Sequence, residues 1–263
     1  MTVPTSRSDT SSSVERAFEL LDRISAAGPD GLTLAQLASS VPIAKSTTHR
    51  YVATLLELGV LRRNDAGRLQ LGLKLVELAG ALLDGDEVRA AAESVLHDLV
   101  ARTGETVHLG VPRDGCVVYV AKVESPQSVR LVSRIGARVE MHCSAMGKAL
   151  MARLDQFALE AALARPRELR TMHTITSTDA LLAELEKVRA AGVAIDNEEN
   201  ELGVRCIGAA VVGRRSEPIA AISVSAPATR MPPERCAEIT PVVIAAADEI
   251  ARRLGRPNLN PTR

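Results

Sequence analysis

The chain has 263 residues, 46% of them hydrophobic, and its 32 basic and 32 acidic side chains leave no formal net charge. That length suits two domains with real cores, and neutrality excludes a general attraction to nucleic acid or to an anionic membrane surface. No apolar run reaches transmembrane length, and MTVPTSRSDTSSS at the N-terminus lacks a signal-peptide core, so a cytoplasmic protein with no membrane partner is expected.

Residues 1–12 read as a disordered Ser/Thr-rich tail. VERAFELLDRISAAG, from Val14 to Gly28, predicts a helix with Val14, Phe18, Leu21 and Ile24 on one face and Ser13 as its cap. Thr33 and Gln36 fit a capping box, so a second helix is expected to start at Leu34 and to end at Val41-Pro42. A third helix, Lys45 to Leu58, places Tyr51, Val52, Leu55 and Leu58 on an apolar stripe. Lys45, Ser46, Thr47, Thr48, His49 and Arg50 crowd its first turns. Gly59 then caps it, and strands at Val60–Arg63 and Arg68–Leu71 flank the turn cluster Asn64-Asp65-Ala66-Gly67.

This order is that of a winged helix-turn-helix, a device that inserts one helix into the major groove of DNA. The expected DNA-binding residues are Thr33, Lys45, Ser46, Thr47, Thr48, His49 and Arg50, with Arg62, Arg63 and Arg68 contacting phosphate from the wing. Between Leu32 and Leu73, five Lys/Arg against two acids give a local excess of three positive charges, which has to supply the attraction to DNA. Taken by spacing alone, the same segment also fits a protein-binding three-helix scaffold with solvated charges.

The helix Leu73 to Leu83 is strongly apolar (Leu75, Val76, Ala79, Leu82, Leu83), which fits either a partner subunit or packing on its own domain. Asp84-Gly85-Asp86 ends it. A helix from Glu87 to Arg102, stopped by Gly104, leads into expected strands at Glu105–Val111, Cys116–Glu124 and Ser128–Ser133. Helical segments at Ser144–Leu163 and Asp179–Ala191 follow, then strands at Val193–Asp196, Val204–Val212 and Ile219–Ser225, and a last helix from Pro233 to Leu254. Strands in blocks with helices between them predict an α+β domain around an antiparallel sheet.

Five segments, SVERAFELLD, AKSTTHRYVATLLELG, RTGETVHLG, VSRIGARVEMHCSAMGKAL and DNEENELGVRCIGAAVV, resemble the IclR-type (isocitrate lyase regulator) transcriptional regulators of bacteria. The resemblance spans about Ser13 to Gly255. It implies a winged helix-turn-helix over 13–72, a linker helix over 73–84, and a GAF-like effector-binding domain over 85–255, followed by a tail over 256–263. It further implies a homodimer, often a dimer of dimers, on an inverted-repeat operator in double-stranded DNA. Control by a small-molecule effector is implied as well, commonly an organic acid, with repression ahead of activation.

Where the motifs match, Ser144, Ala145, Met146 and Gly147 correspond to the family's effector loop, and Asp196, Cys206, Ser223 and Ser225 to further contact positions. A loop entering a helix offers free N–H groups to a carboxylate, and two serines two apart on a strand share a face. Val129 and Leu131, on one face of an expected strand, are candidates for the apolar wall. No aromatic residue falls in these segments, which leans toward a small aliphatic acid. Met146 is bulkier than the small residue frequent in the family at that place, and so reshapes the pocket.

Plainer readings stand beside these. Cys143 and Cys206 fit a core, Ser223 and Ser225 fit the solvent face of an edge strand, and the four acids between Asp196 and Glu201 fit a solvated turn. The four cysteines (Cys116, Cys143, Cys206, Cys236) contain no C-x-x-C pair, so neither a structural zinc site nor a disulfide framework is expected. His142, Cys143 and Asp196 could be assembled into a thiol nucleophile set, but no nucleophile signature surrounds them. Gly147-Lys148 would need Gly at 142 and Ser or Thr at 149 to be a phosphate loop, and has His142 and Ala149. The expectation is a regulator with no catalytic residue, metal or cofactor. A redox- or protein-responsive regulator is the alternative.

Overall fold

The structure is a computed structural model that describes residues 13–84, 86–129, 131–213 and 217–255. The tails expected at 1–12 and 256–263 lie outside the described residues. The chain divides into two compact units, up to Gly85 and from Asp86 onward.

In the first unit, α1 (Ser13–Ala26) buries Leu20 and Ile24. Ser13 is its first helical residue rather than its cap, and the cap position falls outside the described residues. A short 3-10 turn at Gly28–Asp30 precedes α2 (Leu34–Ser39), whose capping box forms as the sequence predicts: Thr33 Oγ1 accepts from Gln36 N–H, and Thr33 N–H donates to Gln36 Oε1 at 2.9 Å. Helix α3 (Lys45–Glu57) packs through Thr48, Val52 and Leu55. Leu58, expected on that stripe, is 59% exposed, because the helix ends at Glu57 and the buried row runs i, i+4, i+7 from Thr48. Strands β1 (Leu61–Arg63) and β2 (Leu69–Leu71) form the hairpin, with Leu61 opposite Leu71. Leu20, Ile24, Leu37, Val41, Val52, Leu55, Leu61 and Leu69 make one apolar core. Helix α4 (Lys74–Asp84) closes the unit, with Leu73, just before it, and Val76, Leu78 and Leu82 all exposed.

The second unit opens with α5 (Glu87–Thr103), capped by Asp86 and ended by Gly104 in the left-handed conformation. Strands β3 (Thr106–Arg113), β4 (Cys116–Val123) and β5 (Arg138–Glu140) come next. Helices α6 (Ala145–Met151), α7 (Gln156–Leu163) and α8 (Thr178–Ala191) precede β6 (Ala194–Asn197), β7 (Val204–Val212) and β8 (Pro218–Pro227), and α9 (Pro233–Arg253) ends the unit. The antiparallel sheet has the order β5-β4-β3-β8-β7-β6, so the last strand sits at its centre.

One sheet face is apolar. Val107, Leu109, Ile207, Ala209, Ile222 and Val224 pack with Leu96 and Leu99 of α5 and with Val243 and Ile250 of α9. Alternation sends His108, Cys206, Ser223 and Ser225 to the opposite face, where α6 lies. Two glycines bring α6 close. A Cβ on Gly208 would sit 2.8 Å from the Ala145 carbonyl carbon, and one on Gly147 would sit 2.3 Å from Met141 O.

Among the described residues of Ser128–Ser133, the expected strand is absent. Its carbonyls are taken by side chains: Arg230 donates to Val129 O at 2.8 Å and Lys122 Nζ to Ser133 O at 2.9 Å. The place beside β4 belongs to Arg138–Glu140, with Val117 opposite Val139.

Candidate functional site

The first candidate surface is the exposed start of α3. Lys45, Ser46, His49 and Arg50 face solvent, and Thr47 is half-buried. Ala44 at the cap position supplies no side-chain hydrogen bond, and the first turn carries no acid, so the N–H groups and positive helix end are left to a phosphate. Thr48 does not belong to this surface. It is wholly buried and donates its hydroxyl to Ala44 O at 3.3 Å, which makes it a core residue. Thr33 is exposed, but its hydroxyl and N–H are both engaged in the cap of α2.

The hairpin arginines divide in role. Arg62 and Arg63 are exposed, Arg63 donating to Gly67 O at 2.8 Å. Arg68 folds back instead, giving Nε to Asp30 O at 2.9 Å and a terminal nitrogen to Gly31 O at 2.9 Å. Those bonds tie the hairpin to the 3-10 turn, so Arg68 braces the wing rather than extending from it.

The second candidate site is a cavity of about 150 Å³ between α6 and the polar face of the large sheet. Of the ten sequence-predicted effector residues, Leu131, Ser144, Ala145, Met146, Asp196, Cys206, Ser223 and Ser225 line it. Val129 does not: it is 67% exposed on the loop that replaces the expected strand. Gly147 is outside it too, since it packs on Met141 and its N–H is capped by Ser144 Oγ at 3.1 Å. Ser223 and Ser225 lie on a central strand, with their hydroxyl oxygens 3.3 Å apart and both nearly fully buried, so the edge-strand reading fails.

Residues the sequence reading missed complete the wall. The rings of His108 and Tyr119 stack with centroids 4.5 Å apart, and His108 Nε2 lies 2.7 Å from Ser133 Oγ. The expectation of a pocket without aromatics is thereby corrected. His108 Nδ1 is buried with no hydrogen-bond partner. Burial, with Lys122 adding a smaller effect, lowers the His108 pKa to about 4, so the ring is neutral at pH 7. Asp196 accepts N–H bonds from Glu199 (2.8 Å) and Asn200 (3.2 Å) on Oδ1, yet burial prevails and raises its pKa to about 7. Burial likewise pushes the Tyr119 hydroxyl and the Cys206 thiol above their usual ranges.

Lys148 was also missed. It is completely buried and gives Nζ to Glu199 Oε1 at 2.5 Å and to Ile195 O at 2.6 Å, with Glu184 at 3.4 Å. This binds α6 to the Asp196 loop from behind. The phosphate-loop reading has no place for such a lysine. The thiol nucleophile set does not assemble either. His142 Nε2 pairs with Glu168 O at 3.0 Å, Cys143 Sγ lies 3.8 Å from Asn200 Oδ1, and burial pushes the Cys143 thiol up to about 12.

A winged helix-turn-helix followed by an α+β unit of this topology defines a class of DNA-binding transcriptional regulators. The model of the IclR helix-turn-helix domain matches residues 13–65, and that of the bacterial transcriptional regulator IclR C-terminal domain matches residues 80–252. The transcriptional regulator KdgR of Escherichia coli is 35% identical over 94% of this chain and 94% of its own length. The transcriptional repressor IclR of the same organism is 30% identical over 92% and 90%. The crystal structure of Thermotoga maritima IclR superposes with a TM-score of 0.76 at 35% identity, covering 92% of this chain and 98% of that one. The chain belongs to the IclR family of transcriptional regulators: it binds DNA and is not an enzyme. Among the described residues, no helix is long and apolar enough to cross a membrane.

Proposed function

We propose that the chain is a cytoplasmic repressor that binds an inverted-repeat operator as a homo-oligomer, a dimer or dimer of dimers, and is controlled by a small organic acid in the cavity beneath α6. The observation that carries the reading is the convergence of Ser144, Asp196, Cys206, Ser223 and Ser225, far apart in sequence, on one cavity. Such a mixture of apolar wall and a few convergent polar groups is what a metabolite site requires. Repression follows the similar Escherichia coli protein that carries that name. Oligomerisation is supported by the exposed apolar side chains of α4, Val76 and the neighbouring pair Leu78 and Leu82, one turn apart on one face. A thiol-based sensor is disfavoured, because burial raises both the Cys143 and Cys206 thiols and so suppresses the reactive thiolate.

The test is fluorescence anisotropy on labelled operator DNA, selected from genomic fragments, with effectors found by thermal shift. A ligand at 100 times its dissociation constant adds about 2.7 kcal/mol of stability. The double variant Ser223→Ala/Ser225→Ala and the cavity-filling Ala145→Leu should bind the operator as the parent does and fail to respond to effector. A normal response in both places the ligand elsewhere.

A further inference from the structure

The cavity beneath α6 offers many hydrogen-bonding groups and little positive charge. Among the described residues, its lining contains no lysine or arginine. Two lysines close to it are engaged elsewhere: Lys122 Nζ with Ser133 O and Glu124, Lys148 Nζ with Glu199 and Ile195 O. His108 is neutral at pH 7. The two acids of the lining are Asp196, 2% exposed, and Glu201 on the solvent side. Because the hydrogen bonds to Asp196 fall on Oδ1, its other oxygen is the one left for a ligand.

An organic acid entering this space brings a second negative charge against a buried carboxylate. Two carboxylates sharing a low-dielectric site cannot both stay ionised, and one keeps a proton. Resting on the small-acid reading above, we propose that Asp196 holds a proton when the effector binds, so that one proton is shared between Asp196 and the ligand carboxylate and the site selects singly charged acids. The proton comes from solvent and resides on the Asp196 oxygen left for the ligand, which donates it as a hydrogen bond. No covalent bond other than O–H changes.

The surroundings agree. Glu199, on the same loop, favours the protonated form, and Lys148 of α6 opposes it while paired to Glu199. Cys206, opposite Asp196 in the β6–β7 ladder, Cys143 before α6 and Tyr119 of β4 are all held neutral by burial, and Glu201 adds only further negative charge. With burial as the largest effect, Asp196 already stands at about 7 before any ligand enters. A dicarboxylate or phosphate would carry a charge that this wall does not answer. The volume, about 150 Å³, matches a site that accommodates a molecule of roughly benzene size.

The test is calorimetric titration of the full chain with acetate, lactate, pyruvate and benzoate, beside succinate and the amides lactamide and benzamide. Each titration is run at pH 6 and pH 8 in two buffers of different ionisation enthalpy. At least one monoacid should bind about tenfold more weakly at pH 8 than at pH 6, with close to one proton taken up at pH 8, while succinate does not bind. Asp196→Asn, whose amide donates without titrating, should bind the same acid equally at both pH values. Proton uptake by the parent protein decides the matter even where that variant is unstable. A monoacid that binds without pH dependence or proton uptake, yet is lost in Ser223→Ala/Ser225→Ala, overturns the shared proton and leaves the small-acid reading intact. Amide binding in place of acid binding, or no monoacid binding at either pH, overturns both.

Discussion

His108 lies directly opposite Ser223 in the β3–β8 ladder, so the third residue of the second unit's first strand meets its last strand at the cavity wall. The wall is therefore a product of tertiary pairing, and its chemistry can be altered without touching the DNA-binding unit.

For the DNA surface, Arg50→Ala should cost about 1–3 kcal/mol on the operator and relax sequence preference, as expected of a base contact. Arg62→Ala should weaken operator and random DNA alike and lower the salt slope by about one phosphate. Thr48→Ala is a control of opposite kind: it should lower the melting temperature of the winged unit and leave the operator-to-random ratio unchanged. Salt-dependent anisotropy and thermal melts read all three.

Arg68→Ala should behave as a stability variant. It removes the bonds to Asp30 O and Gly31 O, each worth about 1 kcal/mol. Denaturant unfolding should show the loss, and affinity should change far less than in Arg62→Ala. A DNA defect without a stability defect would return Arg68 to the phosphate-contacting wing.

Leu78→Glu/Leu82→Glu places two charges on one exposed face of α4, where Leu78 is 59% and Leu82 72% exposed. Monomers by analytical ultracentrifugation, with operator binding lost and effector binding kept, are the expected outcome. A variant that remains dimeric would move the interface off this helix.

Asp196 and His108 give opposite pH signatures. The folded-state pKa of Asp196 is raised from 3.8 to about 7, so the folded form holds more protons than the unfolded one between those values, and stability falls as pH rises through that window. Asp196→Asn should remove this term, gaining on the parent by up to about 4 kcal/mol by pH 8 and little at pH 4. For His108 the folded value is lowered from 6.5 to about 4, so its contribution is present above 6.5 and lost as pH falls toward 4. His108→Gln should flatten that acid limb. Urea midpoints from pH 4 to pH 8 separate the two.

Most of the first unit was legible because its signals are local. The T-x-x-Q cap, the turn at Asn64–Gly67 and the spacing of Val52 and Leu55 each act within a few residues. Besides the helix-end errors at Ser13 and Leu58 and the exposed Val14 and Phe18, the misread residues there were Thr48 and Arg68, polar residues whose partners, Ala44 O in one case and Asp30 O in the other, are set by packing. In the second unit, β7 matched its expected bounds, while Ser128–Ser133 imitated a strand by alternation although Val129 and Val132 are exposed. His108 and Tyr119 were hidden because an almost wholly apolar CVVYVAKV gives no hint of which face is inside, and because Ser223 is far away in sequence. Nothing near Lys148 announces that Glu199 will be beside it.

The central place of β8 has a consequence for how the protein is made. As the chain emerges, β3, β4 and β5 can pair among themselves, and later β6 with β7, but these two groups share no strand until Pro218–Pro227 is added. The cavity beneath α6 is thus finished only when synthesis of the unit is nearly complete, and closing it demands the pairing of strands more than a hundred residues apart, a slow step in folding. A nascent or C-terminally truncated chain would carry a complete winged helix with no working sensor. Effector bound across the seam between β3 and β8 would then act as a rivet between the early and late halves of the unit.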